Sequence, residues 1–140
     1  MNYAIVFRLL SYILLCEGAL MLLPALASAL YAEWTVLGVF LFTAALCAVL
    51  GALLHRIRPS SQIFYMREGF VTTALSWIVI SVMGAVPFVL SGTIPNPVDA
   101  LFETVSGFTT TGASILPAVE GLPQGILFWR INEGYSRCNA

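Results

Sequence analysis

Asn96-Pro97-Val98-Asp99-Ala100-Leu101-Phe102-Glu103-Thr104-Val105-Ser106-Gly107-Phe108, followed at once by Thr109-Thr110-Thr111-Gly112-Ala113-Ser114, is the stretch on which the reading of this chain turns. Asn96 is a favourable N-cap, Pro97 suits the first helical position, and Asp99 sets an acid against the positive end of the helix. The pattern predicts a helix over residues 97–108 that Gly107 can end. Such a helix is only about three turns long, too short to cross a hydrocarbon core about 30 Å thick. Upstream, Ser91-Gly92-Thr93-Ile94-Pro95 is turn chemistry. Downstream, residues 115–125 carry Pro117 and Pro123 before a fresh apolar start at Ile126-Leu127-Phe128-Trp129. Short helix, polar loop and new span together predict a re-entrant hairpin. Its non-helical backbone is tolerated at membrane depth only where protein encloses it or it lines a watery cavity.

The surrounding sequence is built for lipid. Hydrophobic residues make up 59% of the 140-residue chain and charged residues 9%, with a mean hydropathy of +0.93; an ordinary soluble domain holds about 25% charged residues. Residues 9–31, interrupted only by Glu17, and residues 34–54 and 70–90, which hold no charge, each reach the roughly 20 residues that a spanning helix needs. The expected class is an all-α membrane protein embedded in a lipid bilayer. The first run has a second reading as a cleavable secretory signal, since Arg8 precedes a leucine-rich segment and small residues follow at Ala25 to Ala29. Its length, its Glu17 and the apolar run close behind it favour a span.

His55, Arg56, Arg58 and Arg67 all fall in the link between the second and third runs, and cytoplasmic loops hold the excess of arginine and lysine. That link is therefore expected on the cytoplasmic side, with the amino terminus inside and residues 91–97 outside. Tyr31 and Trp34 at the outer boundary suit interfacial anchors. Net charge is −1 with no lysine, which leaves no basic surface for nucleic acid. Cys16 and Cys47 lie in apolar runs and Cys138 in a polar stretch, a spacing of small buried hydrophobes rather than of disulfides or metal ligands. No nucleophile, acid and base trio and no glycine-rich phosphate loop is present, so an enzyme is not expected.

Conducting a dehydrated cation requires oxygens that replace its water shell, and consecutive backbone carbonyls aimed at one axis supply them. Threonine and glycine suit that work: the β-branched threonines are expected to hold an extended backbone, and Gly112 can adopt angles closed to other residues. The C-terminal end of the short helix adds roughly half a negative charge. An ordinary surface loop can carry Thr-Thr-Thr-Gly too, but it needs neither a capped short helix before it nor a membrane span on either side.

At these residues the chain resembles the TrkH family, the membrane subunits of bacterial Trk potassium uptake within the TrkH/KtrB superfamily. The resemblance is carried by Arg67-Glu68-Gly69-Phe70, by Gly84-Ala85-Val86-Pro87-Phe88-Val89-Leu90-Ser91-Gly92 and, most specifically, by residues 100–114. It extends from near the amino terminus to about Arg130. It implies four repeats of span, pore helix and span around one pore, preceded by two extra helices that the related KtrB proteins lack. The implied function is potassium uptake across the bacterial cytoplasmic membrane. Potassium would be the transported ion, held by backbone carbonyls of Thr110, Thr111 and Gly112, with Thr109 and Ala113 flanking them. Only one glycine stands where a potassium-channel filter has two, which implies a looser selectivity mechanism. The resemblance also implies a homodimer and a cytosolic nucleotide-binding regulatory subunit of the TrkA type.

On this reading residues 1–56 are two leading transmembrane helices, 57–69 a cytoplasmic basic link, 70–130 the first pore repeat with its pore helix at 97–108 and filter at 109–113, and 131–140 a polar tail unrelated to the family. The second span of that repeat is cut short and the later repeats are missing, so the chain is expected to be a fragment of the translocating subunit or the product of a frame disruption. Glu103 is expected to support the filter from behind, with attraction of cations to the mouth as the other reading. Glu17 reads as a paired or protonated structural acid rather than an ion ligand, and His55 as an interfacial residue rather than a pH sensor. The rival from another class is a small helical membrane anchor or assembly protein that moves no ion.

Overall fold

The computed structural model describes residues 3–57, 66–116 and 121–132, and every regular element in them is helical. The order is α1 (Tyr3–Leu30), α2 (Trp34–His55), α3 (Met66–Leu90), α4 (Pro97–Phe108) and α5 (Gln124–Asn132). The first three are long and apolar enough to cross a membrane. Their outer faces hold large apolar side chains at high exposure, among them Leu26, Phe42, Val49, Phe70 and Ile78, an arrangement that water penalises and lipid does not.

Helices α1 and α2 form the most extensive pair. Small residues allow the close approach: a Cβ on Gly18 would lie 3.2 Å from Cys47 Cβ, and one on Gly51 would lie 3.0 Å from Leu15 Cγ. Helix α4 packs on α3, while α5 returns to α1 and, less extensively, to α2. The shared core joins Met21 and Ala25 of α1, Phe40 and Cys47 of α2, Phe88 of α3, Ala100 of α4, and Ile126 and Trp129 of α5. Trp129 is the largest fully buried side chain among the described residues. Its indole N–H donates to the Gly84 carbonyl at 3.3 Å and its ring meets Phe40 edge-on, so the apolar body and the polar tip are both satisfied.

Some expectations shift on this framework. Helix α1 begins at Tyr3, so Arg8 lies inside it. Tyr31 and Trp34 flank the α1–α2 turn at high exposure, as interfacial anchors require. Glu17 is buried, but among the described residues neither carboxylate oxygen meets a hydrogen-bond partner, so the structural pairing expected for it is not made there. Cys16 is exposed, Cys47 is buried, and both are free thiols. His55 meets the ring of Tyr12 edge-on and lies 3.4 Å from Ser11 Oγ. Helix α5 runs on through Ile131 to Asn132, past the expected start of the tail, while Arg58, Pro117, Cys138 and residues 133–140 lie outside the described residues.

Candidate functional site

The site is built from α4 outward. Asn96 takes the N-cap position and its side-chain oxygen accepts from the Val98 N–H at 3.1 Å. Its amide nitrogen donates to Asp99 Oδ2 at 3.0 Å, so the first-turn acid is held by the cap residue itself. Pro97 follows at the head of the helix, where its missing N–H costs nothing. Upstream, α3 ends through Gly92 (φ 73°), and the Ile94 N–H bonds back to the Phe88 carbonyl at 3.2 Å. That closure turns the chain into α4.

The far end of α4 closes as a Schellman motif. The Thr110 N–H donates to the Gly107 carbonyl and the Thr111 N–H to the Ser106 carbonyl, each at 3.0 Å. This pattern demands a left-handed residue, and Thr110 supplies it at φ 54°. The extended threonine backbone expected from the sequence is therefore corrected: Thr109 sits at φ −82° and ψ 2°, and Thr110 is left-handed. The helix-end hydrogen bonds, together with a 2.8 Å contact between the Thr109 and Thr111 hydroxyls, outweigh the β-branched preference. Gly107 stays inside the helix, and the glycine angle is needed instead at Gly112, with φ 74°.

One consequence concerns the carbonyls. With the amides of residues 109–111 folded back into the helix end, the carbonyl oxygens of Thr109, Thr110, Thr111 and Gly112 accept no hydrogen bond among the described residues. All four residues are exposed in this chain. The Ala113 carbonyl differs, because Ser106 Oγ donates to it at 2.6 Å and ties it to the helix.

Behind the loop lies a buried polar cluster. Glu103 is completely buried; its Oε1 accepts from Arg130 Nε at 2.8 Å and from Ser114 Oγ at 3.0 Å, and its Oε2 accepts from the Ile115 N–H at 3.0 Å. Arg130 Nη2 donates to Ser114 Oγ at 2.7 Å, and that oxygen also accepts from the Leu116 N–H. One carboxylate thus joins α4, the segment leaving the loop, and α5. A buried ion pair is tolerated when further hydrogen bonds satisfy both groups, as they do here.

Residues 109–113 and Glu103 are thus brought into one assembly, although Glu103 grips the chain at Ser114 and Ile115 rather than at residues 109–112. Arg130, Ser106, Ser114 and Glu33 were not singled out from the sequence. Arg130 had a usable signal: a lone cation in a new apolar span requires a buried anion, and Glu103 is the acid inside the short helix. Glu33 had none, because its partners lie 91 and 92 residues away.

Comparison with known proteins agrees with this architecture. The TrkH family model, described as a cation transport protein, matches residues 36–133. An uncharacterized cation transporter of Methanocaldococcus jannaschii is 35% identical over 125 residues, covering 89% of this chain and 26% of that protein. The Trk system potassium uptake protein TrkH of Halomonas elongata is 33% identical over 134 residues, covering 93% of this chain and 27% of its own length. The crystal structure of the potassium transporter TrkH from Vibrio parahaemolyticus superposes with a TM-score of 0.84 at 32% identity, over 93% of this chain and 28% of that one. The chain thus spans about a quarter of the length of the curated relatives it matches. With more than half of its residues inside the family match and its helices superposing on a solved member, the chain belongs to the TrkH family of cation transport proteins.

Proposed function

We propose that this chain supplies one quarter of a potassium-conducting pore, in which the carbonyls of Thr110, Thr111 and Gly112, flanked by Thr109 and Ala113, replace the water around a passing ion. The observation that carries the reading is the run of carbonyls at residues 109–112 that accept no hydrogen bond among the described residues, at the C-terminal end of a helix too short to cross the membrane. Bare peptide oxygens are costly in lipid and useful only to a ligand or to water. The helix end adds partial negative charge where the ion would dwell. Ala113 is the weakest contributor, since its oxygen is already engaged by Ser106.

Glu103 and Arg130 support the loop from behind. As a fully buried, ion-paired group, Glu103 is poorly placed to attract cations to the mouth. The other carbonyls of each ring come from the further repeats of the parent transporter, which works in the cytoplasmic membrane of a bacterium with the amino terminus and the basic link inside. The parent forms a homodimer and docks a cytosolic nucleotide-binding subunit of the TrkA type. Potassium is the cargo and moves down its electrochemical gradient.

The test is a chimera in which residues 1–132 replace the matching part of the Vibrio parahaemolyticus protein, assayed by growth on limiting potassium. A Cβ on Gly112 would meet nothing within 4 Å in this chain, so Gly112→Asp displaces no neighbouring Cβ contact within it. It strains the φ 74° backbone and places a charge beside the carbonyls. Growth should fail. Equal growth of the two chimeras would reject the filter and leave a helical membrane anchor that moves no ion.

A further inference from the structure

The α1–α2 turn holds a carboxylate that does not serve its own helix. Glu33 occupies the N-cap position of α2 yet makes no side-chain cap bond there. Its oxygens instead accept from the Gln124 N–H at 2.8 Å and the Gly125 N–H at 3.1 Å. These are the first amides of α5, and Pro123 just before them has no side-chain oxygen to cap the helix itself. The backbone of Glu33 is pinned in turn: its N–H donates to the Ser28 carbonyl and its carbonyl accepts from the Leu37 N–H, each at 2.9 Å. Ser28 and Val36 press on Gly125 so closely that a side chain there would clash with the Ser28 hydroxyl and crowd Val36. The first turn of α5 is therefore seated on the leading hairpin, and the same short helix presents Arg130 to Glu103 and Ser114.

We propose that Glu33 is a positioning residue for the pore: by capping α5 from the α1–α2 turn it sets the height at which Arg130 grips the segment leaving the candidate filter. The inference rests on the pore reading above. An axial slip of α5 by one residue, about 1.5 Å, would take Arg130 out of hydrogen-bond range of Glu103. The two extra helices thereby act on the filter without lining the pore.

The clasp is read first without transport, by amide hydrogen exchange in lipid vesicles holding the full chain. Glu33→Ala should speed exchange of the Gln124 and Gly125 N–H groups about tenfold, as expected for losing hydrogen bonds to a charged acceptor, and Glu33→Gln, which keeps an acceptor oxygen, should speed it less. Unchanged exchange overturns the proposal.

The second readout is the ratio of rubidium to sodium uptake in the chimera, which does not depend on how much protein folds. Glu33→Ala should lower that ratio, Glu33→Gln should partly restore it, and Glu33→Ala should add nothing further in an Arg130→Gln background. A ratio unmoved by Glu33→Ala, while Gly112→Asp abolishes uptake, overturns the positioning role and leaves the filter reading intact. Unimpaired uptake with Gly112→Asp removes the filter reading and this inference with it, whatever the exchange rates show.

Discussion

Two helices of this chain end in the same way and put the result to opposite uses. Helix α1 closes through Ala32 at φ 57°, with the Glu33 N–H bonded to the Ser28 carbonyl at 2.9 Å; α4 closes through Thr110 at φ 54°, with the Thr111 N–H bonded to the Ser106 carbonyl at 3.0 Å. Each places a residue other than glycine in the left-handed region, at a cost of about 1–2 kcal/mol. The first turn is sealed, because the Glu33 carboxylate goes on to take up the free amides of α5. The second is open, because the carbonyls of residues 109–112 take up nothing among the described residues. Identical backbone geometry thus says little about function. What distinguishes the two regions is whether the polar groups that the turn exposes are matched inside the protein.

The largest test attacks the support of the open turn. Arg130→Ala strands a fully buried carboxylate and should destabilise the protein by about 3–5 kcal/mol in detergent unfolding. Glu103→Leu combined with Arg130→Met, which removes both charges, should recover most of that loss. A cost near zero for the single change would mean that the loop is held by something else.

Among the described residues the leading hairpin has one exception to its sealed character, the unmatched oxygens of Glu17. Burying an uncompensated polar group is unfavourable, so Glu17→Leu should raise unfolding stability by about 1–3 kcal/mol and leave rubidium uptake by the chimera unchanged. A loss of uptake would show that this acid takes part in transport and that the hairpin is not simply structural.

Ala32→Gly and Thr110→Gly separate the two turns directly. Both relieve left-handed strain, and each should stabilise by about 1 kcal/mol or less once the freedom of glycine in the unfolded chain is set against the gain. Only Thr110→Gly should also alter the rubidium to sodium ratio. A matching change from Ala32→Gly would erase the contrast.

The smallest effect is expected at the other end of α4. Asn96→Ala removes the cap bond to Val98 and frees Asp99, costing about 0.5–1 kcal/mol in unfolding stability. No measurable change would mean that packing of α4 on α3, rather than its cap, holds the helix in place.

Much of this was legible from the residues. Asn96, Pro97 and Asp99 announce α4 within a few positions of one another, and the apolar runs that became α1, α2 and α3 exceed the length a membrane demands. Such signals are local, because capping and hydrophobic length depend on neighbours in sequence. The threonine backbone was misread for a related reason. β-branching favours extended angles residue by residue, but the helix end needs a left-handed residue one position past its cap, and three hydrogen bonds around Thr109, Thr110 and Thr111 enforce it.

The sequence by itself determined the solvent of this protein, the number of its long apolar helices and the place where a short capped helix gives way to threonine and glycine. Tertiary structure alone decided which polar groups meet: Arg130 with Glu103 across 27 residues, and Glu33 with the amides of α5 across more than 90. Hydrophobic length and capping act along the chain, whereas a buried charge or a bare amide accepts whichever partner the packed helices bring within about 3 Å.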